Sequence, residues 1–243
     1  MNIKNFQMQV LKRASLCRHF ENEVFKRVQN KTITFPVYLS AGQEYVSASI
    51  AQLMKNKRWS YILKKKFKKK VNNISTKFKI CSFNGATTKE AVNKIKFVLY
   101  TRKIDILILM FGINDSVYWM SGLGKPRVDI KDFKKNIIKL IKKAKKKCDP
   151  KIIFLTSHKF LQNRLEGNGK THNHNYQNYR KEIFKISKSH KFEVIDIYKE
   201  LNQYSPKNYC LALPDGLHLS NFGSLKYSEI ISKFIINGII KKK

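Results

Sequence analysis

Acidic residues are scarce in this sequence: 16 Asp and Glu stand against 50 Lys and Arg, a formal net charge of +34. Such a charge attracts polyanions such as nucleic acid, anionic lipid or acidic glycan. Nearly all of the excess is lysine and it accompanies abundant Asn and Ile, which indicates a general compositional bias. Nucleic-acid-binding proteins usually also carry arginine and exposed aromatic side chains along one stripe. The composition therefore disfavours nucleic acid as a partner.

Cysteines and long apolar runs are also few. The four cysteines, Cys17, Cys81, Cys148 and Cys210, form no CxxC pair, which argues against a zinc knot or redox motif and suits a reducing compartment. No apolar run reaches the roughly 20 residues that a membrane-spanning helix needs. The N-terminal segment is charged and lacks the apolar stretch of a signal peptide. These absences predict a cytoplasmic protein without a transmembrane segment.

Regular alternation of apolar runs and amphipathic stretches begins near residue 58. The predicted strands are 78–83, 104–111, 151–157 and 192–197. The predicted helices are 59–71, 89–101, 132–147, 179–190 and 224–240. This alternation predicts an α/β fold, a three-layer α/β/α sandwich with a mostly parallel sheet of flavodoxin-like kind. Residues 1–57 are predicted to form a separate N-terminal helical segment, followed by a domain spanning 58–243.

Polar residues stand where the predicted strands end, and in open parallel sheets ligands bind beyond those ends. Gly85 and Asn114 follow two of the strands, and "LPDGLHLS" places Asp215 and His218 ahead of the last helix. The Asp215–His218 spacing lets a carboxylate orient an imidazole, which is the working form of a general base. A glycine N–H and an asparagine amide can both donate to a developing oxyanion.

Taken singly, each of these motifs also has a structural interpretation. Gly85 suits a turn, and "GIND" after a strand suits the cap of a following helix. The joint order of all three at strand ends favours a site for acyl chemistry.

These motifs, "FNGATT", "DILILMFGIND" and "PDGLHLS", resemble conserved blocks of the SGNH hydrolase superfamily, the GDSL-type esterases and acetylhydrolases. The resemblance covers residues 59–243, with Trp59 and Leu63 fitting the helix after the family's first block. It implies that Gly85 and Asn114 are oxyanion donors and that Asp215 and His218 are the acid and base. It also implies an esterase or acyl (acetyl) hydrolase acting on an O-acylated carbohydrate or small ester, without cofactor or metal.

The family's nucleophile, a serine in a GDS turn, has no counterpart in "TITFPVYLSAGQEYVSASI". If "GQE" takes that place, Glu44 occupies the serine position. Pro36 disfavours a central strand there, because proline cannot donate to the strand ladder. Among the nearby hydroxyls Ser40 is placed best for a nucleophile at a strand end. The chain could therefore be a degenerate hydrolase, or a non-catalytic module that binds a glycan or ester.

A second resemblance covers residues 10–55, which look like the N-terminal segment of the alpha subunit of thiamine-diphosphate-dependent 2-oxo acid dehydrogenases. Arg18, Phe20 and Glu21 match its "R-x-F-E" helix end, and 39–44 match its "LSxGQE" segment. The diphosphate-binding GDG motif is absent, so the resemblance implies no cofactor. Two explanations fit this resemblance. The chain is either a fusion of a dehydrogenase-like leader with a hydrolase domain, or a fragment of a dehydrogenase alpha subunit.

Three further histidines have weaker patterns. His172 and His174 in "THNHNYQNY" could begin a metal site, but the surrounding residues suggest a polar loop and two histidines are too few ligands. His158, just after a predicted strand, could contact substrate or lie on the surface.

Overall fold

The computed structural model describes residues 7–9, 11–12, 14–15, 58–70, 77–82, 85–99, 103–122, 124–213 and 215–240. The chain divides into two compact units, Met1–Ile62 and Leu63–Lys243. In the first unit the described residues 7–9, 11–12 and 14–15 are helical. The predicted nucleophile Ser40 and its neighbour Glu44 lie outside the described residues.

The elements alternate along the chain as a βαβ pattern requires. The strands are β1 Ile106–Leu109, β2 Lys151–Leu155 and β3 Glu193–Ile195. The helices are α1 Trp59–Lys70, α2 Thr88–Val98, α3 Ile130–Cys148, α4 His172–His190, α5 Ile197–Glu200, α6 Pro206–Tyr209 and α7 Asn221–Ile235, after which Ile236–Ile240 forms a π-helical turn. None of the helices in the described part of the chain is long and apolar enough to cross a membrane.

The described sheet is parallel and has the order β1-β2-β3. Ile152 and Phe154 of β2 belong to the hydrophobic core formed with α2, α3 and α4. Ile153 and Leu155 alternate with them, so they point to the opposite face, and they are fully buried as well. The strand is therefore covered on both faces, which confirms the predicted α/β/α sandwich.

Helix α3 shows why the predicted helices form. Its buried residues follow helical spacing and face the core, with lysines on the opposite side: Phe133, Ile137, Leu140, Ile141 and Ala144. Asp129 caps its N-terminus by accepting hydrogen bonds from the backbone N–H groups of Lys131 and Asp132 at 3.0 and 3.1 Å. Asp149, in the left-handed conformation at φ 44°, ends it.

Two sequence predictions about elements are wrong. Residues 78–82 of the predicted strand 78–83 form no strand, and most of them are exposed. Lys79 interrupts the apolar run, and Phe78 packs against Phe67 with 5.5 Å between ring centroids. The second error is the polar loop at 172–178, which forms the first turns of α4. Thr171 starts that helix by accepting a hydrogen bond from the His174 N–H at 3.3 Å.

Candidate functional site

Asp215 and His218 are in direct contact. His218 Nδ1 lies 2.7 Å from Asp215 Oδ2, and Asp215 Oδ1 accepts hydrogen bonds from the backbone N–H groups of Leu217 at 2.9 Å and His218 at 2.7 Å. Because a carboxylate oxygen can only accept, Nδ1 carries the proton, and in the neutral imidazole Nε2 has a lone pair. Burial raises the pKa of Asp215, but the hydrogen bonds from His218 and Leu217 outweigh it and hold the pKa below its usual range. With its side chain 74% exposed, His218 can accept a proton from a ligand.

The loop that carries this pair is fastened to the segment after β2. Gly216 O accepts hydrogen bonds from the N–H groups of Leu161 at 2.8 Å and Gln162 at 3.2 Å. Gly216 has φ +58°, and a Cβ there would lie 2.8 Å from the Gln162 nitrogen. Both the backbone conformation and the close approach therefore require glycine at this position.

His158 also holds the loop of Asp215 and His218 in place. Its Nε2 lies 2.9 Å from Leu217 O, and its Nδ1 lies 2.6 Å from the Tyr227 hydroxyl. Since Leu217 O accepts, Nε2 carries the proton and Nδ1 accepts from Tyr227. Burial lowers the pKa of His158 to about 4. The hydrogen bond to Leu217 O opposes this shift, and the nearby charge of His218 adds to it. His158 is 3% exposed, so it is a buried, neutral side chain that holds the loop in place. The alternative that it is a surface histidine is wrong.

Asn114 stands in the turn that follows β1, where Ser116 N–H donates to Gly112 O at 3.0 Å. The Asn114 side-chain amide donates to Ala86 O at 3.0 Å. An amide NH₂ has two hydrogens, so this bond leaves one for another acceptor. The structure thus joins Asn114 to the turn of Gly85 and Ala86, bringing the two predicted oxyanion donors to neighbouring positions.

The turn is held by a buried carboxylate that the sequence analysis did not select. Asp115 is fully buried and accepts hydrogen bonds from Thr88 N–H at 2.8 Å, Thr88 Oγ1 at 2.6 Å and Gly112 N–H at 3.1 Å. Burial raises the pKa of Asp115 although these hydrogen bonds lower it. The bonds tie the end of β1 to the first residue of α2.

His172 supports the same turn from behind. Its Nε2 lies 2.9 Å from Ile113 O and 3.2 Å from Ser116 Oγ, and burial lowers its pKa. Its Nδ1 lies 3.8 Å from Glu166, whose carboxylate accepts hydrogen bonds from Tyr118 N–H and the Asn175 amide. The described residues contain no group of three or more His, Cys, Asp or Glu side chains placed to hold a metal ion. The contacts with Ile113 and Ser116 make His172 a support of the turn that carries Asn114.

The two halves of the candidate site share one edge of the sheet. The Asn114 turn follows β1 and His158 follows β2, and these strands are parallel neighbours, so both segments leave the carboxyl edge. The Phe160 ring joins the segments, lying 5.4 Å from the His158 ring and 4.7 Å from the His172 ring between centroids. Within the described chain no hydrogen bond connects His218 directly to Asn114.

Parallel strands in an α/β/α sandwich with a carboxylate-oriented imidazole at the strand ends define an α/β protein with a candidate acyl-transfer site. The model of the GDSL-like Lipase/Acylhydrolase family matches residues 43–224. This chain belongs to that family. The matched range contains Gly85, Asn114, Asp215 and His218, whereas Ser40 lies just before it.

Solved structures with the same fold include three esterases or hydrolases. The acetyl xylan esterase AlAXEase superposes with a TM-score of 0.61 at 16% identity, covering 74% of this chain and 92% of that one. Axe2, an acetylxylan esterase from Geobacillus stearothermophilus, gives 0.59 at 13%, covering 74% and 80%. LAE5, an alpha/beta hydrolase enzyme from the metagenome of Lake Arreo, Spain, gives 0.60 at 14%, covering 74% and 80%. No curated protein matches the sequence significantly.

Proposed function

We propose that this chain is an ester hydrolase that removes a short acyl group, such as acetyl, from an O-acylated carbohydrate or a small ester. The observation that carries the proposal is the His218 imidazole, oriented by Asp215 at 2.7 Å and exposed at the sheet edge where Asn114 stands. Membership of the GDSL-like acylhydrolase family supports the reaction type. The acetylxylan esterases that share the fold support the substrate class.

In the proposed first step, the hydroxyl of Ser40 attacks the ester carbonyl carbon while His218 Nε2 takes its proton. Asp215 stabilises the imidazolium that forms. The negative charge on the carbonyl oxygen is met by the second hydrogen of the Asn114 amide and by the Gly85 N–H. The tetrahedral intermediate then collapses: the carbon–oxygen bond to the alcohol breaks, and His218 returns the proton to the departing alcohol.

Water completes the cycle. His218 takes a proton from the water, whose oxygen attacks the acyl carbon of the serine ester. Collapse of the second intermediate releases the carboxylic acid, and His218 returns the proton to the serine oxygen. Geometry supports Asn114 in this role because its Ala86 bond fixes the side chain while leaving a donor available.

Hydrolysis of 4-nitrophenyl acetate tests the proposal. The wild-type chain is expected to turn the ester over, and Asn114→Ala is expected to lower kcat at least about a hundredfold because an oxyanion donor is lost. The KM should change little, since the donor acts mainly in the transition state. Asn202→Ala is the matched control, because Asn202 is exposed at the end of α5 and far along the chain from the turn.

Two results would contradict the proposal. One is a wild-type chain that hydrolyses no ester; binding of acetylated xylan without turnover would then favour the non-catalytic binding module. The other is an Asn114→Ala variant as active as Asn202→Ala, which would remove Asn114 from the reaction.

A further inference from the structure

Arg127 lies beside the proposed oxyanion turn. Its Nη1 is 4.0 Å from the position that a Cβ would occupy on Gly85. The Arg127 N–H donates to Val117 O at 2.9 Å, and the neighbouring Val128 N–H donates to Asp115 O at 3.2 Å, so the backbone here is tied to the segment after Asn114. A guanidinium is thus held beside the turn that carries the proposed oxyanion donor Gly85.

Trp119 forms one wall next to this guanidinium. The Arg127 guanidinium carbon lies 5.0 Å from the centroid of the indole ring, and Trp119 remains 57% exposed. An arginine stacked on an aromatic face keeps the N–H groups at its edge available for an acceptor. The Trp119 backbone is well supported: Gly167 N–H donates to Tyr118 O at 2.8 Å, and a Cβ on Gly167 would lie 2.2 Å from Trp119 O.

Among the residues that the structure describes, no carboxylate pairs directly with this arginine. Within the described part of the chain, no Asp or Glu oxygen lies within ion-pair distance of Arg127. Glu90 is an acidic residue near Arg127. Its pKa is lowered mainly by the hydrogen bond from the Thr87 side chain and, to a smaller extent, by the charge of Arg127. Glu90 Oε2 accepts hydrogen bonds from the backbone N–H and the side chain of Thr87, so this carboxylate has a hydrogen-bond partner other than Arg127.

We propose that Arg127 and Trp119 form a subsite for a carboxylate-bearing ring in the alcohol part of the ester. The planar fork of arginine matches a carboxylate with two parallel hydrogen bonds, and the exposed indole offers a face on which a ring can stack. The net charge of +34 favours encounter with anionic substrates. The inference rests on the proposed function, in which the acyl group is small and the ring therefore belongs to the alcohol.

A pair of esters that differ only in the carboxylate tests the subsite. The kcat/KM for 4-acetoxybenzoate, divided by that for phenyl acetate and corrected for their rates with hydroxide, measures the preference. The wild type should prefer 4-acetoxybenzoate, and Arg127→Gln should lower this ratio about tenfold or more, as expected for the loss of a charge-assisted bidentate contact. Lys125→Gln, an exposed matched charge removal two residues away, should leave the ratio unchanged.

Each other outcome overturns the subsite. Equal ratios for Arg127→Gln and Lys125→Gln would show that only the overall charge selects the substrate. A wild type that prefers phenyl acetate would show that no anion is selected. Should neither ester be hydrolysed, the proposed function fails, and the subsite is then judged by saturation-transfer NMR with 4-hydroxybenzoate and phenol: selective binding of 4-hydroxybenzoate that Arg127→Gln abolishes supports it, and its absence refutes it.

Discussion

Replacing His218 with alanine is expected to lower kcat for 4-nitrophenyl acetate by about 10⁴-fold or more, because the loss of the base leaves only the oxyanion donors and substrate binding to act. The structure assigns the effect to one atom: Nδ1 is committed to Asp215 at 2.7 Å, so Nε2 alone can receive the proton. Asp215→Asn should cause a loss of about 10⁴-fold, since an amide donor would favour the wrong tautomer of His218.

His174→Ala is the matched control for this experiment. His174 is exposed in the first turn of α4, and its described hydrogen bond is made by its backbone N–H. It should retain wild-type kcat. Because both changes remove one imidazole from the surface, a difference between them reports on the position of His218. Equal activity of the two variants would end the assignment of His218 as base.

The free energy of unfolding is expected to fall by about 3 kcal/mol, through His158 alone, when the pH is lowered from 7 to 4. Folding depresses the His158 pKa from 6.5 to about 4. Between these values the unfolded chain binds a proton that the folded chain does not, so stability is lost as the pH falls through this window. The magnitude follows from about 1.4 kcal/mol for each pKa unit.

Urea unfolding of the wild type and of His158→Gln at several pH values isolates the contribution of His158 to the free energy of unfolding. Glutamine can keep a donor toward Leu217 O but does not titrate, so the stability difference between the two proteins should narrow as the pH falls. The same comparison with His174→Gln should show no such narrowing. Direct NMR titration of His158 in the wild type gives an independent measurement, and a pKa near 6.5 would contradict the buried neutral anchor.

The sheet and its covering helices could be predicted because their signals are local. The apolar runs around Leu107 and Ile153 show no polar alternation, and α3 places Phe133 and Ile137 on one face with lysines opposite. The Asp215–His218 contact is also local, since a three-residue turn is enough to form it. Burial and strand pairing then act on patterns that the sequence already displays.

Other parts of the site depend on contacts between distant segments. Asp115 is hydrogen-bonded to Thr88, and His158 is hydrogen-bonded to Leu217 and Tyr227. No residue pattern near Asp115 or His158 in the sequence identifies these partners. The run 78–83 misled the prediction for the opposite reason: its local pattern resembled a strand, but an apolar run becomes a strand only where a neighbouring strand accepts its hydrogen bonds.

The separate N-terminal helical segment, residues 1–57, stays a prediction. Its resemblance to thiamine-diphosphate-dependent dehydrogenase subunits covers 10–55, most of which lies outside the described residues, and the family match begins at residue 43 within it. Glu44, which occupies the serine position if "GQE" takes the place of the GDS turn, falls inside the matched range, whereas Ser40 does not.

Covalent labelling with a fluorophosphonate, followed by peptide mass spectrometry, tests most directly whether the candidate site is a serine hydrolase site. We expect one phosphonyl group per chain, located on Ser40, and no label on the His218→Ala variant, because the hydroxyl needs the imidazole to become nucleophilic. A wild-type chain that acquires no label on any serine, or that is labelled equally with and without His218, would contradict it.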